Sequence, residues 1–253
     1  MTQDAGYSVF DADPDVLRWA RAAHQVACQL AADPEVRAGN LRHGETWFVG
    51  VDALPNAADG SIAGVPLWGP WQEHIPIVPA WHPAQLSIVY PGYPGRDPDE
   101  SDANHRFRKN RFAAHVDGLL PIGPERRRYL KEPHAFILGL PLNTCDAAPL
   151  MVWPGSHRFI GPFLADALRG DAPEETDITE AYQAVRRKVL ESISPVPVSA
   201  TPGQAILLHR HLLHGMGLWQ EGASGPPEGR MIAYFRPQTR IAKWCLADLT
   251  GKQ

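Results

Sequence analysis

The chain is poor in the features that mark specialised classes of protein. Its 253 residues include only three cysteines, Cys28, Cys145 and Cys245, far apart and without a CxxC pair. No disulfide framework is expected, and a reducing, cytoplasmic compartment is. No charge of one sign predominates: Lys and Arg number 24 against 28 Asp and Glu. That balance leaves no basic footprint for nucleic acid and no polybasic anchor for a membrane. No apolar run approaches the roughly 18 residues of a membrane span. The opening MTQDAGYSVF has no charged stretch followed by an apolar one, so no signal peptide is expected. Internal repeats and low-complexity linkers are also missing. At this length roughly three quarters of the unfolded surface can be buried, so a core needs neither disulfide nor structural metal.

Proline (25), glycine (22) and tryptophan (8) are plentiful. Proline and glycine follow no period and are mixed throughout with Trp, Tyr, Val and Leu, which excludes collagen and argues against disorder. The pattern suits short strands joined by many turns. Two segments read as helices. Asp13-Pro14 opens one, with Val16, Leu17, Ala20, Ala23, Ala27 and Leu30 as its apolar stripe, and Asp33-Pro34 ends it. The other runs from about Asp177 to Ile193, with Asp177 and Glu180 at capping-box spacing. Strands are expected in TWFVGV, LSIVY, HAFILGLPL, APLMVW, PVPVSA, QAILLH and RMIAYFRP, and residues 105–117 read as one extended segment. These elements predict one α+β domain over residues 1–253, mainly β, with a helical layer over about 1–45 on an antiparallel sandwich.

His115-Val116-Asp117 is the sharpest local feature. In extended chain, residues i and i+2 share a face, so the imidazole and the carboxylate converge. Two histidines and one carboxylate form the facial triad of non-haem Fe(II) oxygenases. The segment GQAILLHRHLLHGMG offers His209, His211 and His214 as the second histidine. On one continuous strand His209 and His211 share a face, and His214 lies opposite unless the strand ends near Leu212. Downstream, Arg230 opens RMIAYFRP, where its fork can meet a dicarboxylate with two hydrogen bonds. Arg236, on the same face of a regular strand but at its end, is the competing candidate. In HRFRKNRF, alternation puts Lys109 and Arg111 on the face of His115, as an anion-holding or a solvated edge. Glu125-Arg126-Arg127-Arg128 reads as a solvated face or loop. Trp47, Phe48, Trp68, Trp71 and Trp81 read mostly as core, with a pocket wall as the alternative.

The order HVD, APLMVWPGSHR, PGQAILLHRHLLHG, GRMIAYFRP resembles the phytanoyl-CoA dioxygenase-like branch of the Fe(II)/2-oxoglutarate oxygenases over about residues 85–237. The resemblance implies a double-stranded β-helix (jelly-roll) core there, with Fe(II) on His115, Asp117 and His214. It places His214, the histidine followed by Gly215, as the distal ligand, and Arg230 on the C5 carboxylate of the cosubstrate 2-oxoglutarate. It also implies a dioxygenase that hydroxylates a small molecule and releases succinate and CO2. Related halogenases carry Ala or Gly where this chain has Asp117, which sets it with the hydroxylase or desaturase type. The chain departs from the family pattern at Met216, where serine is frequent, at Gly139, near a usual aromatic, and in the insertion LWQEGASGPPEG before Arg230. The rival readings are a cupin-like isomerase or hydrolase using the same ligands without 2-oxoglutarate, and a non-catalytic sandwich that binds a small molecule.

Overall fold

The computed structural model describes residues 4–223 and 225–246. Asp13 caps α1 (Pro14–Ala32) by accepting hydrogen bonds from Asp15 N and Val16 N, and Asp33 caps α2 (Pro34–Asn40) in the same way. Val16, Trp19, Ala20, Ala23 and Ala27 are the buried stripe of α1. The strands are β1 (Tyr7–Phe10), β2 (Leu41–Arg42), β3 (Trp47–Leu54), β4 (Ala84–Val89), β5 (Leu119–Ile122), β6 (Arg127–Leu130), β7 (Phe136–Pro141), β8 (Leu150–Val152), β9 (Val196–Val198), β10 (Ala205–His209), β11 (His214–Met216) and β12 (Arg230–Phe235). The other helices are α3 (Asp102–Arg111), α4 (His157–Ala167), α5 (Thr179–Ser192) and α6 (Ile241–Trp244).

Seven strands form one antiparallel sheet in the order β1-β10-β7-β12-β4-β3-β2, three form a second in the order β11-β8-β9, and β5 and β6 are a hairpin. Side-chain alternation divides the large sheet. Leu86, Ile88, Phe136, Leu138, Ala205, Leu207, Met231, Ala233 and Phe235 face the buried stripe of α1. Ile137, Ile206 and Leu208 point the other way, onto Leu150, Val152 and Val198 of the small sheet. Met151 and Trp153 lie on the far side of the small sheet against Ile160 and Leu164 of α4 and Tyr182, Val185 and Val189 of α5. The molecule is thus mainly β, two antiparallel sheets facing each other with helices outside.

Three local expectations are corrected. Residues 102–111 are helix, not strand, so no alternation relates Lys109 and Arg111 to His115. Ser101 caps α3, Asp102 sits in its first turn and Arg108, Lys109 and Arg111 in its last, an order that complements the helix dipole. Asp177 and Glu180 are no capping box. Helix α5 starts at Thr179, whose N–H and hydroxyl donate to Asp177, and both acids hold Arg127. The 125–128 run is therefore not a free solvated loop, since Arg127 is clamped on β6 and Arg128 is half-buried. Of the aromatics, Phe48 and Trp71 are core, Trp81 packs against it, and Trp68 is exposed. No helix among the described residues is long and apolar enough to cross a membrane.

Candidate metal centre

The chain leaves the large sheet after His209, turns through residues 210–213 and enters the small sheet at His214. That corner separates the three distal histidines. His209 and His211 stay with His157 in a buried cluster, their rings 4.8 Å (His157–His209) and 5.2 Å (His209–His211) apart. His214 instead pairs with His115 through two backbone hydrogen bonds, His115 N to His214 O at 2.8 Å and His214 N to His115 O at 3.1 Å. This clasp brings one ligand atom each of His115, Asp117 and His214 within 4.8 Å of one another.

Their donor roles follow from the neighbouring carbonyls. His115 Nδ1 lies 2.9 Å from Ala113 O, and His214 Nδ1 lies 2.9 Å from Leu212 O. A carbonyl only accepts, so both Nδ1 atoms carry hydrogen and the neutral rings present Nε2 lone pairs. Those two Nε2 atoms face the same atom, Asp117 Oδ1, at 3.1 and 3.7 Å. Three lone-pair donors around one point repel unless a cation or added protons lie among them, and two imidazoles with a carboxylate are the donor set that suits Fe(II). When protons rather than a cation occupy that focus, Nε2–H of His115 and His214 donate to Asp117 and hold its pKa well below the carboxylate range, although burial alone would raise it. Burial likewise opposes charge on His214, yet the Asp117 carboxylate outweighs it and raises that pKa. The other oxygen, Oδ2, faces Arg236 Nη1 at 3.6 Å. The side chain of His115 is 46% exposed against 13% for Asp117, so the centre opens on the His115 side, into a cavity of about 400 Å³.

Two contacts fix the segment. Val116 N donates to the Tyr182 hydroxyl at 3.0 Å, tying it to α5. Gly215 lets residues 112–114 lie against β11, because a Cβ there would stand 2.2 Å from Phe112 O.

Arg230 is buried on the inner face of β12, and its Nη1 lies 3.6 Å from Met216 Sδ. Among the described residues no carboxylate pairs with it. Met216 is two residues from His214 on the same face of β11, which places the guanidinium one side chain along the strand from the metal centre. Arg236 is the more exposed of the two arginines and turns to Asp117.

Sequence reasoning missed Tyr182, the contact of Arg236 with Asp117, and Tyr234. Tyr234 shares the inner face with Arg230, and its ring occupies the space a side chain at Gly139 would fill, 2.9 Å from a Cβ there. The aromatic ring thus comes from the paired strand. Its buried hydroxyl lies by the Arg230 guanidinium, and among the described residues no other side chain or carbonyl holds it. The signal was present as alternation in RMIAYF opposite a glycine in a wholly buried strand.

No family model matches the chain, and no curated protein does. Solved structures do. EctD from S. alaskensis with bound Fe is 18% identical at a TM-score of 0.45, covering 99% of this chain and 78% of its own. The same protein with 2-oxoglutarate and 5-hydroxyectoine is 18% identical at 0.41, with 92% and 71% covered. The non-heme alpha ketoglutarate dependent carbocyclase SnoK from nogalamycin biosynthesis is 13% identical at 0.44, with 92% and 81% covered. The side chains of the site, not these likenesses, carry the functional reading.

Proposed function

We propose that the chain is an Fe(II)- and 2-oxoglutarate-dependent dioxygenase that hydroxylates a small molecule, on a double-stranded β-helix core of the phytanoyl-CoA dioxygenase-like kind. The observation that carries it is a buried guanidinium with no carboxylate partner among the described residues, one side chain along β11 from two imidazoles and an aspartate that share a focus. His115 and His214 offer neutral Nε2 donors, oriented by the carbonyls of Ala113 and Leu212. Asp117 would add the negative charge, while Arg236 faces its Oδ2 at 3.6 Å. Arg230 is placed to take the far carboxylate of a dicarboxylate in two hydrogen bonds, and the Tyr234 hydroxyl stands ready as a neutral donor beside it. The bound iron, with O2 and 2-oxoglutarate, supplies the oxidising power to replace a substrate C–H by C–OH, releasing succinate and CO2. The free cysteines suit a reducing compartment.

Anaerobic titration with Fe(II) and then 2-oxoglutarate should give a weak visible charge-transfer band and, on admission of air, slow succinate release. Iron binding without that band, together with full activity in Arg230→Ala, would move the protein to the cupin-like metalloenzymes.

A further inference from the structure

The hairpin β5–β6 follows the metal-binding segment directly, and its arginines divide between two sides. Arg127 turns outward into the clamp of Asp177 and Glu180. Arg128, its neighbour in the strand, turns the other way into the cavity that holds His115 and Asp117. It is half-buried, its Nη1 donates to Leu119 O at 2.8 Å, and its backbone N–H donates to Thr179 Oγ1 at 2.7 Å. Arg186 reaches the same cavity from α5, stacked over the rings of Phe107 and Tyr182 at 4.8 and 5.1 Å. Arg126, at the hairpin turn, lines it as well. All three line one cavity, and burial, opposed by Tyr182 and aided by Arg186 and Arg126, lowers the Arg128 pKa.

Among the described residues no carboxylate pairs with any of the three. The nearby acids are engaged elsewhere: Asp177 and Glu180 on Arg127, Glu100 on Arg108 at 2.6 Å. Glu132 also lines the cavity, and it lies 3.6 Å from His134. Guanidiniums stay charged at any physiological pH, so three of them lining one cavity, with no carboxylate among the described residues bonded to any, repel one another. Holding two in place by stacking and by a carbonyl costs side-chain entropy as well. An oxyanion relieves both terms, and forked donors are the groups that recognise carboxylate and phosphate.

We propose that Arg126, Arg128 and Arg186 form an oxyanion-binding site at the mouth of the metal cavity, and that the substrate carries a phosphate or carboxylate there, remote from the carbon to be oxidised. The assignment to substrate rests on the dioxygenase reading; the anion site itself does not. It predicts an anionic small molecule as substrate, in place of a neutral or cationic one.

The test is calorimetric titration of the protein with phenyl phosphate and with benzoate, with benzyl alcohol as the uncharged reference. Each is run on iron-free protein and on the anaerobic Fe(II)–2-oxoglutarate complex. At least one anion should bind, the alcohol should not, and binding should weaken as salt is raised. Arg128→Gln and Arg186→Gln should each weaken the anion at least threefold and together more than tenfold. Arg187→Gln, on the exposed side of α5, should change nothing, and the charge-transfer band should survive in every variant. The single variants keep the test valid if the double variant fails to fold. The stronger of the two anions identifies the substrate's charged group. Absence of binding by both anions, or binding indifferent to Arg128 and Arg186, overturns the site. Anion binding without any charge-transfer band leaves the site standing and removes the dioxygenase reading.

Discussion

At the scale of single residues, Gly215 separates space from charge most cleanly. A methyl group at 215 meets the backbone oxygen of Phe112, which cannot rotate away, so Gly215→Ala must push the His115 segment off β11. Iron affinity should fall at least tenfold in an anaerobic Fe(II) titration. Gly39→Ala, with nothing within 4 Å of its added carbon, should leave iron binding unchanged. Arg230→Ala should raise the apparent constant for 2-oxoglutarate about a hundredfold, the loss on the order of 3 kcal/mol expected when a desolvated charge loses its partner. Arg230→Lys should not restore it, because a point charge cannot replace the fork. Arg236→Ala should act on iron instead, since its guanidinium faces Asp117. A large cosubstrate effect at Arg236 and none at Arg230 would reverse the assignment. Tyr234→Phe should raise the 2-oxoglutarate constant about fivefold with kcat little changed, a loss near the 1 kcal/mol of one neutral hydrogen bond.

At the scale of elements, α5 supports the site from a distance. Its Tyr182 hydroxyl is the acceptor for the Val116 amide between His115 and Asp117, and its first turn grips the hairpin through Arg127. Tyr182→Phe leaves a buried N–H unmatched at about 1–3 kcal/mol. A fall in Tm on the order of 5 °C, with weaker iron binding, is expected by calorimetry and metal titration. Helix α1 was readable because its cap, its proline and its buried stripe agree. Helix α3 was not. None of its residues is buried, so no apolar period reports it, and only Ser101 and the order of charges betray it. The HxD triplet and Arg230 were readable as residue types in order. Tyr234, Tyr182 and the turn of Arg236 toward Asp117 were not, because each depends on which strand or helix lies beside which. The sheet change between His209 and His214 is a corner of four residues with no Gly or Pro, and alternation carried through it would misplace His214.

At the scale of the whole molecule, the corner also creates an acid-sensitive core. Burial, reinforced by His209, Arg210 and His157, outweighs a backbone contact at Trp244 that favours the proton and holds the His211 pKa well below its ordinary value. The unfolded chain accepts a proton there near pH 6.5 and the native protein does not. Stability present above that pH is therefore lost as pH falls through about 6.5, at up to about 1.4 kcal/mol per pH unit for this residue. Urea unfolding from pH 8 to pH 5 should show the decline, and His211→Gln should flatten it by close to one proton.

The clasp between His115 and His214 bears on how fast the proposed centre should take up an ion. Ligands 99 positions apart in the chain (115 to 214) are already seated by two backbone hydrogen bonds before any ion arrives. Loading then waits on no chain search and no folding step, and its speed is governed by how fast the aqueous ion sheds water at the open His115 face. A stopped-flow association rate that stays the same in mild urea, until the molecule as a whole unfolds, is the signature of a seat built in advance.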